Sequence, residues 1–155
     1  MEPRLLYYIR RFLRNEEICY DILQEVWIIA FQKINGLRDP KSFRSWIYRI
    51  AHDKAVTHIR HELSREQAED NYREELLSQS NEIHWSADNA AEIHLLMDKL
   101  SPFHREVLTL FFLEEMNYNE IANVVQCSIG TVKSRIYYAK EALRRLFVEE
   151  QSVQH

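Results

Sequence analysis

The sequence is short of the residues that make tight turns and cross-links. Its 155 residues include two glycines, three prolines and two cysteines. So few Gly and Pro leave little material for β-hairpins, whose turns need positive backbone φ angles. Cys19 and Cys127 lie far apart, without a CxxC motif or a nearby His pair, so the spacing argues against a cysteine metal site. We expect both thiols to be buried or half-buried.

Long apolar runs are also missing. No uninterrupted run approaches membrane-spanning length, and the N-terminus lacks the apolar segment of a signal peptide. We therefore expect a cytoplasmic protein that does not insert into a membrane.

The signatures of catalysis and metal binding are absent as well. The sequence has no nucleophile–base pair, HExxH motif, phosphate-binding glycine loop or clustered carboxylates at useful spacing. His52, His58 and His61 are separated by steps of six and three, which do not place them on one helical face. We therefore predict no catalytic residue, metal or cofactor, and a helical enzyme acting on nucleic acid ranks below a binding function.

Helical periodicity dominates what remains. Hydrophobic residues make up 46% of the chain, and their spacing predicts an all-α fold of two small helical domains joined by a flexible acidic linker. The first domain (1–63) should contain helices over 3–14 and 16–34 and a third that starts at Asp39–Pro40. A linker (64–89) leads to the second domain (90–148), and a tail (149–155) follows.

Charge separates the same segments. The net charge is −4. Residues 38–65 hold seven Lys and Arg against three acids, whereas residues 66–92 hold eight acids and one Arg. Two basic surfaces are thus separated by an acidic tether, which phosphates would repel. Outward charged and aromatic side chains of the third helix are typical of a single-strand-binding surface, although Trp46 fits a core edge better. These side chains are Arg44, Trp46, Tyr48, Arg49, Lys54 and Arg60.

The stretch from 117 to 146 predicts a helix-turn-helix. Asn117 and Glu120 have the spacing of a capping box, and Ser128 can cap a second helix. That helix carries an apolar stripe, five basic residues and one acid, which suits the DNA major groove. An ordinary solvated basic face on a helical hairpin is the alternative. The inward stripe is Val132, Ile136, Ala139, Leu143 and Leu146, and the outward surface includes Thr131, Lys133, Ser134, Arg135, Tyr137, Tyr138 and Lys140.

Three runs in this order resemble the small extracytoplasmic-function (ECF) group of bacterial RNA polymerase sigma factors. They are DILQEVWIIAFQKI, SFRSWIYRIAHDKAVTHIR and LSPFHREVLTLFFLEEMNYNEIANVVQCSIGTVKSRIYYAKEALRRL. The resemblance implies that the first domain, region two, binds the β′ clamp helices of core RNA polymerase and opens the minus-ten promoter element. It implies that the second domain, region four, binds the minus-thirty-five element and the β flap. Anti-sigma proteins are common partners in this family, so the resemblance also makes an anti-sigma protein a candidate partner.

The resemblance also assigns residues by position. Asp21, Gln24 and Glu25 match the polymerase-facing motif. Arg49, His52, Asp53 and Lys54 match the segment that captures a flipped minus-ten base. Lys133, Ser134, Tyr137 and Tyr138 match the recognition-helix positions for the minus-thirty-five element, with Arg135 beside them and Thr131 on the same surface.

The chain departs from the family pattern at several points. Asp53 stands where Asn is common, and Tyr138 where a basic residue is usual. Gln126 replaces a frequent turn glycine, which requires either a negative φ or an absorbed strain. Family members usually carry another helix before the one near Pro3, so the first domain should be short at its N-terminus. A conventional helix-turn-helix regulator, whose first domain senses a ligand or dimerises, remains the alternative function.

Overall fold

The computed structural model describes residues 2–66 and 95–153, and this part of the chain is helical without strands. The predicted all-α class is therefore confirmed. The six main helices are α1 (Glu2–Leu13), α2 (Glu16–Lys33), α3 (Phe43–Glu66), α4 (Pro102–Leu108), α5 (Tyr118–Val125) and α6 (Ile129–Val153). Short 3-10 turns cover Ile34–Gly36 and Pro40–Ser42, and α4 continues as a π-helical turn, Thr109–Leu113.

Local signals explain the helix ends of the first domain, α1 to α3. Arg14 takes a positive φ of 71°, and its N–H donates to the Arg10 carbonyl at 2.9 Å, which ends α1 in the manner usual for left-handed caps. The Asn15 side chain caps α2. Asp39 caps the turn that starts at Pro40 and leads into α3. The core holds Leu5, Tyr8, Ile9, Phe12, Ile22, Leu23, Val26, Ile47, Tyr48, Ala51 and Ala55.

The second domain, α4 to α6, follows its predicted caps closely. Ser101 caps α4 and Pro102 occupies its first turn. Asn117 and Glu120 form both hydrogen bonds of the capping box at the start of α5. Ser128 Oγ accepts the Thr131 N–H at 3.1 Å, which caps α6. The predicted apolar stripe of α6 is buried from Val132 to Leu143, so the helix-turn-helix has the expected inner face.

Several expectations were wrong in detail. Tyr48 was expected on the outer surface, but it is 1% exposed and its ring lies 5.1 Å from that of Tyr8, because α1 covers this face of α3. α3 runs without interruption from Phe43 to Glu66. Residues 64–66 of the expected linker belong to α3, and most of the expected tail belongs to α6. The rest of the linker, and residues 90–94 of the predicted second domain, lie outside the described residues.

The two cysteines fit their expected environments. Cys19 is buried and Cys127 is half-buried, and both are free thiols. Burial raises the pKa of the Cys19 thiol to about 11, so it stays protonated and packs as a small apolar group. Among the helices described, none combines the length and apolar character needed to cross a membrane.

The capping box of α5 yields a stability prediction. Asn117→Ala removes the acceptor for the Glu120 N–H, which lies 2.8 Å away, and should lower the free energy of unfolding by about 1 kcal/mol. Urea denaturation followed by circular dichroism measures the change. Asn123→Ala, at an exposed site within α5, is the matched control and should leave stability unchanged or slightly higher. Equal losses in both variants would contradict the capping role.

Candidate nucleic-acid interface

The predicted DNA-reading side chains lie on the outer surface of α6, opposite its buried stripe. Thr131, Lys133, Ser134 and Tyr137 are exposed, and Arg135 and Tyr138 are half-buried. A shallow depression of about 480 Å³ lies at the start of the helix, lined by Ser128, Gly130, Thr131, Ser134 and Arg135. A Cβ on Gly130 would meet only Ser128 Oγ, at 3.9 Å, so the space above this turn is open to a ligand.

Aromatic rings position the cations of this surface. Lys133 Nζ lies 5.4 Å from the centre of the Tyr118 ring, which belongs to the preceding helix. Lys140 Nζ lies 5.5 and 5.2 Å from the rings of Phe111 and Phe112. Cation–π attraction of this kind restrains a flexible side chain while leaving its charge available. These contacts therefore restrain both lysine side chains on the surface of α6.

The predicted polymerase-facing residues share the outer face of α2. Asp21, Gln24 and Glu25 are all exposed, while the inner face of the helix packs in the core. Glu25 lies 3.7 Å from Lys54, a carboxylate–ammonium pair that connects this face to α3.

Sequence reasoning missed an apolar surface on the same helix. Ile28 is 57% exposed, Phe31 is 76% exposed, and Tyr20 and Ile34 are also exposed. The rings of Trp27 and Phe31 lie 6.1 Å apart. Exposed large apolar side chains grouped on one helix are typical of a protein-binding surface. The sequence carries a signal for this surface, because apolar residues are distributed all around α2. A helix with a single buried face needs fewer apolar residues.

The residues predicted to hold the minus-ten base differ in their accessibility. Arg49 and Asp53 are exposed on α3, and Lys54 is half-buried. His52 is only 7% exposed, and its Nδ1 lies 2.5 Å from Glu106 Oε2 in the second domain. The structure therefore brings this segment against the second domain instead of presenting all four side chains to solvent.

A buried carboxylate lies at the centre of the contact between the domains. Glu106, on α4, is fully buried. Its Oε2 accepts the Tyr8 hydroxyl at 2.5 Å and faces His52 at the same distance. Burial and the neighbouring Glu106 carboxylate raise the pKa of Tyr8 well above its ordinary value. Tyr8 consequently keeps its proton and remains a hydrogen-bond donor.

Arg105 adds a second contact beside Glu106. Its guanidinium donates to the main-chain carbonyls of Arg11 at 2.6 Å and Phe12 at 2.9 Å, in the last turn of α1. It also donates to the Leu100 carbonyl. The last carbonyls of a helix have no partner within the helix and carry its negative dipole end, so a cation there is stabilising. The second domain thus caps a helix of the first.

The turn of the helix-turn-helix contacts the predicted minus-ten segment directly. Gln126 Nε2 donates to Asp53 Oδ1 at 2.5 Å, and Gln126 Oε1 accepts from Arg49 Nη2 at 3.4 Å. The φ of Gln126 is 57°, so the backbone is left-handed, and of the two alternatives expected for this turn the structure shows the one with strain. This conformation costs about 1 kcal/mol for a residue with a Cβ. The two side-chain hydrogen bonds offset that strain.

Arg44 and Glu114 join the domains at a third point. Arg44 donates to the Glu114 carbonyl and lies 3.3 Å from its carboxylate, which is 3% exposed. Sequence reasoning identified none of Arg105, Glu106, Gln126 and Glu114 as interface residues. A charged pair, Arg105 and Glu106, immediately before the apolar run from 107 to 113 was the one available signal.

Comparisons with known proteins assign the chain to a family. Residues 1–65 match the family model of sigma-70 region 2, and residues 90–143 match that of sigma-70 region 4. The chain therefore belongs to the sigma-70 family. It is a sigma factor of the ECF type, a transcription initiation factor that directs promoter recognition.

Individual relatives agree with this assignment. The chain is 32% identical to the RNA polymerase sigma-H factor of Pseudomonas aeruginosa, over 92% of this chain and 79% of the relative. It is 27% identical to the sigma factor SigV of Bacillus subtilis, over 90% and 81%. Its fold is similar to that of the sigma factor RpoE of Bartonella quintana, solved in complex with the anti-sigma factor NepR. The TM-score is 0.72, with 20% identity over 94% and 91% of the two chains.

The recognition surface yields a test of base reading. The DNA used is a set of duplexes selected with the wild-type polymerase complex. Lys133→Ala and Arg135→Ala should each weaken binding of the protein to these duplexes by about 1–3 kcal/mol. The same substitutions should weaken its binding to unrelated DNA much less. Fluorescence anisotropy at fixed salt measures both affinities.

Arg145→Ala supplies the matched control for this test. It removes the same charge at an exposed site further along α6, and should change the two affinities little. Losses at Lys133 and Arg135 that are equal on all sequences would make these residues phosphate contacts instead.

Proposed function

We propose that this sigma factor reads the minus-ten element with α3 and the minus-thirty-five element with α6 while bound to core RNA polymerase in the cytoplasm. The observation that supports this most directly is the exposed polar surface of α6 in a capped helix-turn-helix of the sigma-70 region 4 family. A positively charged, solvent-facing helix preceded by a short turn has the geometry for the major groove.

At the minus-thirty-five element, each exposed side chain of α6 has a role that its chemistry supports. Lys133 and Arg135 supply donors for guanine edges, and Thr131 and Ser134 supply hydroxyls for bases or phosphates. Tyr137 and Tyr138 lie edge to face, with ring centres 5.3 Å apart. Tyr138 thus gives apolar contact where a basic residue would be usual in the family.

At the minus-ten element, α3 supplies groups for an extruded base. Arg49 and Lys54 provide positive charge for the strand, and the Asp53 carboxylate accepts from a base amino group. His52 is the least accessible of the four, because its ring packs against Phe12 of the same domain and its Nδ1 faces Glu106 of the second domain. The carboxylate at Asp53 favours a base that presents a donor at this position.

Polymerase binding uses the outer face of α2. Asp21, Gln24 and Glu25 supply polar contacts for the β′ clamp helices, and the apolar side chains at Ile28 and Phe31 supply buried area. Region four contacts the β flap. The same apolar face suits an anti-sigma protein, a kind of partner that a sigma factor of similar fold binds.

Promoter-specific transcription tests the function as a whole. Adding the chain to core RNA polymerase should produce discrete transcripts from a genomic promoter library, since region two and region four fix the start site together. Run-off transcription followed by sequencing of transcript ends measures this. Unchanged core-only activity would contradict the sigma function, and tight operator binding without polymerase would favour a conventional regulator.

The polymerase-facing surface yields a separate prediction. Gln24→Ala combined with Glu25→Ala should weaken binding to core RNA polymerase about five- to thirtyfold, because loss of two interface groups costs about 1–2 kcal/mol. Glu17→Ala is the control, since Glu17 is an exposed acid in the first turn of the same helix. Affinity of the pair at the wild-type value, measured by biolayer interferometry, would remove these residues from the interface.

A further inference from the structure

We propose that the ring of Tyr118 holds Lys133 where its ammonium reads one guanine edge of the minus-thirty-five element. Tyr118 is the first residue of α5, and Lys133 Nζ lies over its ring, 5.4 Å from the ring centre. Tyr118 is therefore a positioning residue, which acts on the DNA through Lys133. The proposal rests on the function proposed above, because it concerns one of the side chains assigned there to base reading.

The Lys133 ammonium contacts an aromatic face, whereas Arg144 on the same helix is paired with a carboxylate. Arg144 lies 3.3 Å from Glu141 Oε2, and this pairing offsets its charge. An aromatic face attracts a cation without cancelling its charge. Lys133 is also exposed, so its ammonium keeps open sides for acceptors on DNA. The contact with Tyr118 thus restrains the side chain and leaves its donors available.

The ring of Tyr118 is itself restrained in two ways. It stacks on the ring of Phe111, with ring centres 5.5 Å apart and an angle of 3° between the planes. Phe111 belongs to the π-helical turn that follows α4. The backbone of Tyr118 directly follows Asn117, whose capping box with Glu120 fixes the first turn of α5. Stack and cap together restrain the orientation of the ring that Lys133 covers.

A second lysine contacts the same aromatic row, Tyr118, Phe111 and Phe112, at a different place on α6. Lys140 lies over Phe111 and Phe112. It follows Lys133 by seven residues, which is two helical turns or about 10 Å along the axis. The N-terminal residues of a recognition helix meet base edges, and later residues approach the backbone. Ring contacts therefore affect base reading at Lys133 and phosphate attraction at Lys140.

A lysine needs such restraint in order to discriminate between bases. Its ammonium is a compact charge on a flexible four-carbon chain, so an unrestrained lysine reaches phosphates as readily as base edges. Guanine presents two acceptors, O6 and N7, in the major groove, and lysine is a common partner of this pair. With Nζ held over Tyr118, the Lys133 ammonium reaches fewer positions, and one guanine edge is favoured over the phosphates beside it.

Binding of promoter duplexes by core polymerase loaded with the full chain tests the proposal. The Lys133-dependent base pair is the G·C pair of the minus-thirty-five element at which Lys133→Ala loses discrimination against A·T. At that pair, Tyr118→Leu should reduce discrimination about two- to fivefold, the range that a cation–π contact supports. In the Lys133→Ala background, Tyr118→Leu should change discrimination no further. Undiminished discrimination in Tyr118→Leu, or an equal reduction in both backgrounds, would overturn the proposal.

Two matched variants separate the ring of Tyr118 from its other properties. Tyr118→Phe keeps the ring and removes the hydroxyl, so it should discriminate like the wild type. A loss as large as that of Tyr118→Leu would make the hydroxyl the active group and contradict the positioning role. Phe112→Leu removes a ring beside Lys140 and should weaken binding to all duplexes alike. A selective loss at the Lys133-dependent pair in this variant would also contradict that role.

Nuclear magnetic resonance of the wild-type chain tests the contact without a Tyr118 variant. A ring face shifts the proton resonances of groups above it to lower frequency, so the Lys133 methylene next to Nζ should resonate below the ordinary lysine value. Lys133→Arg removes this signal and so assigns it. An ordinary value would rule out the contact. If circular dichroism shows that Tyr118→Leu loses helical content, Tyr118→Met takes its place in the binding assay.

Failure of this proposal and failure of the proposed function give different results. A wild-type complex that directs no promoter-specific transcription, or that binds all duplexes equally, removes the function and this proposal with it. A wild-type complex that discriminates at the Lys133-dependent pair, together with intact discrimination in Tyr118→Leu, removes only the role of Tyr118.

Discussion

The arrangement of this sigma factor depends on one buried carboxylate. Glu106, on α4, is buried, and it accepts a hydrogen bond from the Tyr8 hydroxyl beside His52. A carboxyl group of region four thus lies among side chains of region two. A buried charge is tolerated only when its partners are close and well oriented. The two polar neighbours of Glu106, Tyr8 on α1 and His52 on α3, connect α4 to both of these helices.

The remaining contacts between the domains extend from this centre in two directions. Toward the end of α1, Arg105 satisfies main-chain carbonyls, and the rings of Phe12 and Phe103 meet edge to face at 5.8 Å. Toward the helix-turn-helix, Arg44 and Gln126 connect α3 to the segments around Glu114 and α5. Hydrogen bonds and ring packing occur together at this contact, and the buried apolar side chains of the two domains form one cluster.

Local order was predictable from the sequence because it is encoded locally. Capping residues such as Asn117, Ser101 and Ser128 sit next to the turns that they stabilise, and the periodic stripe of α6 identifies its own inner face. The contact between the domains was not predictable in the same way. The sequence predicts that Tyr48 faces outward on α3, and only the placement of α1 buries it. Gln126 reads as a strained turn residue, and only the distant Asp53 and Arg49 explain its side chain.

The contact of Arg105 with the end of α1 has a consequence for the energetics of the first domain. The carbonyls of Arg11 and Phe12 are completed by a guanidinium that belongs to region four. When the domains part, water must take over these acceptors, and the C-terminal turn of α1 loses a favourable charge at its negative end. The length of α1 is therefore coupled to a residue more than ninety positions away, because part of the C-terminal capping of this helix is supplied by region four.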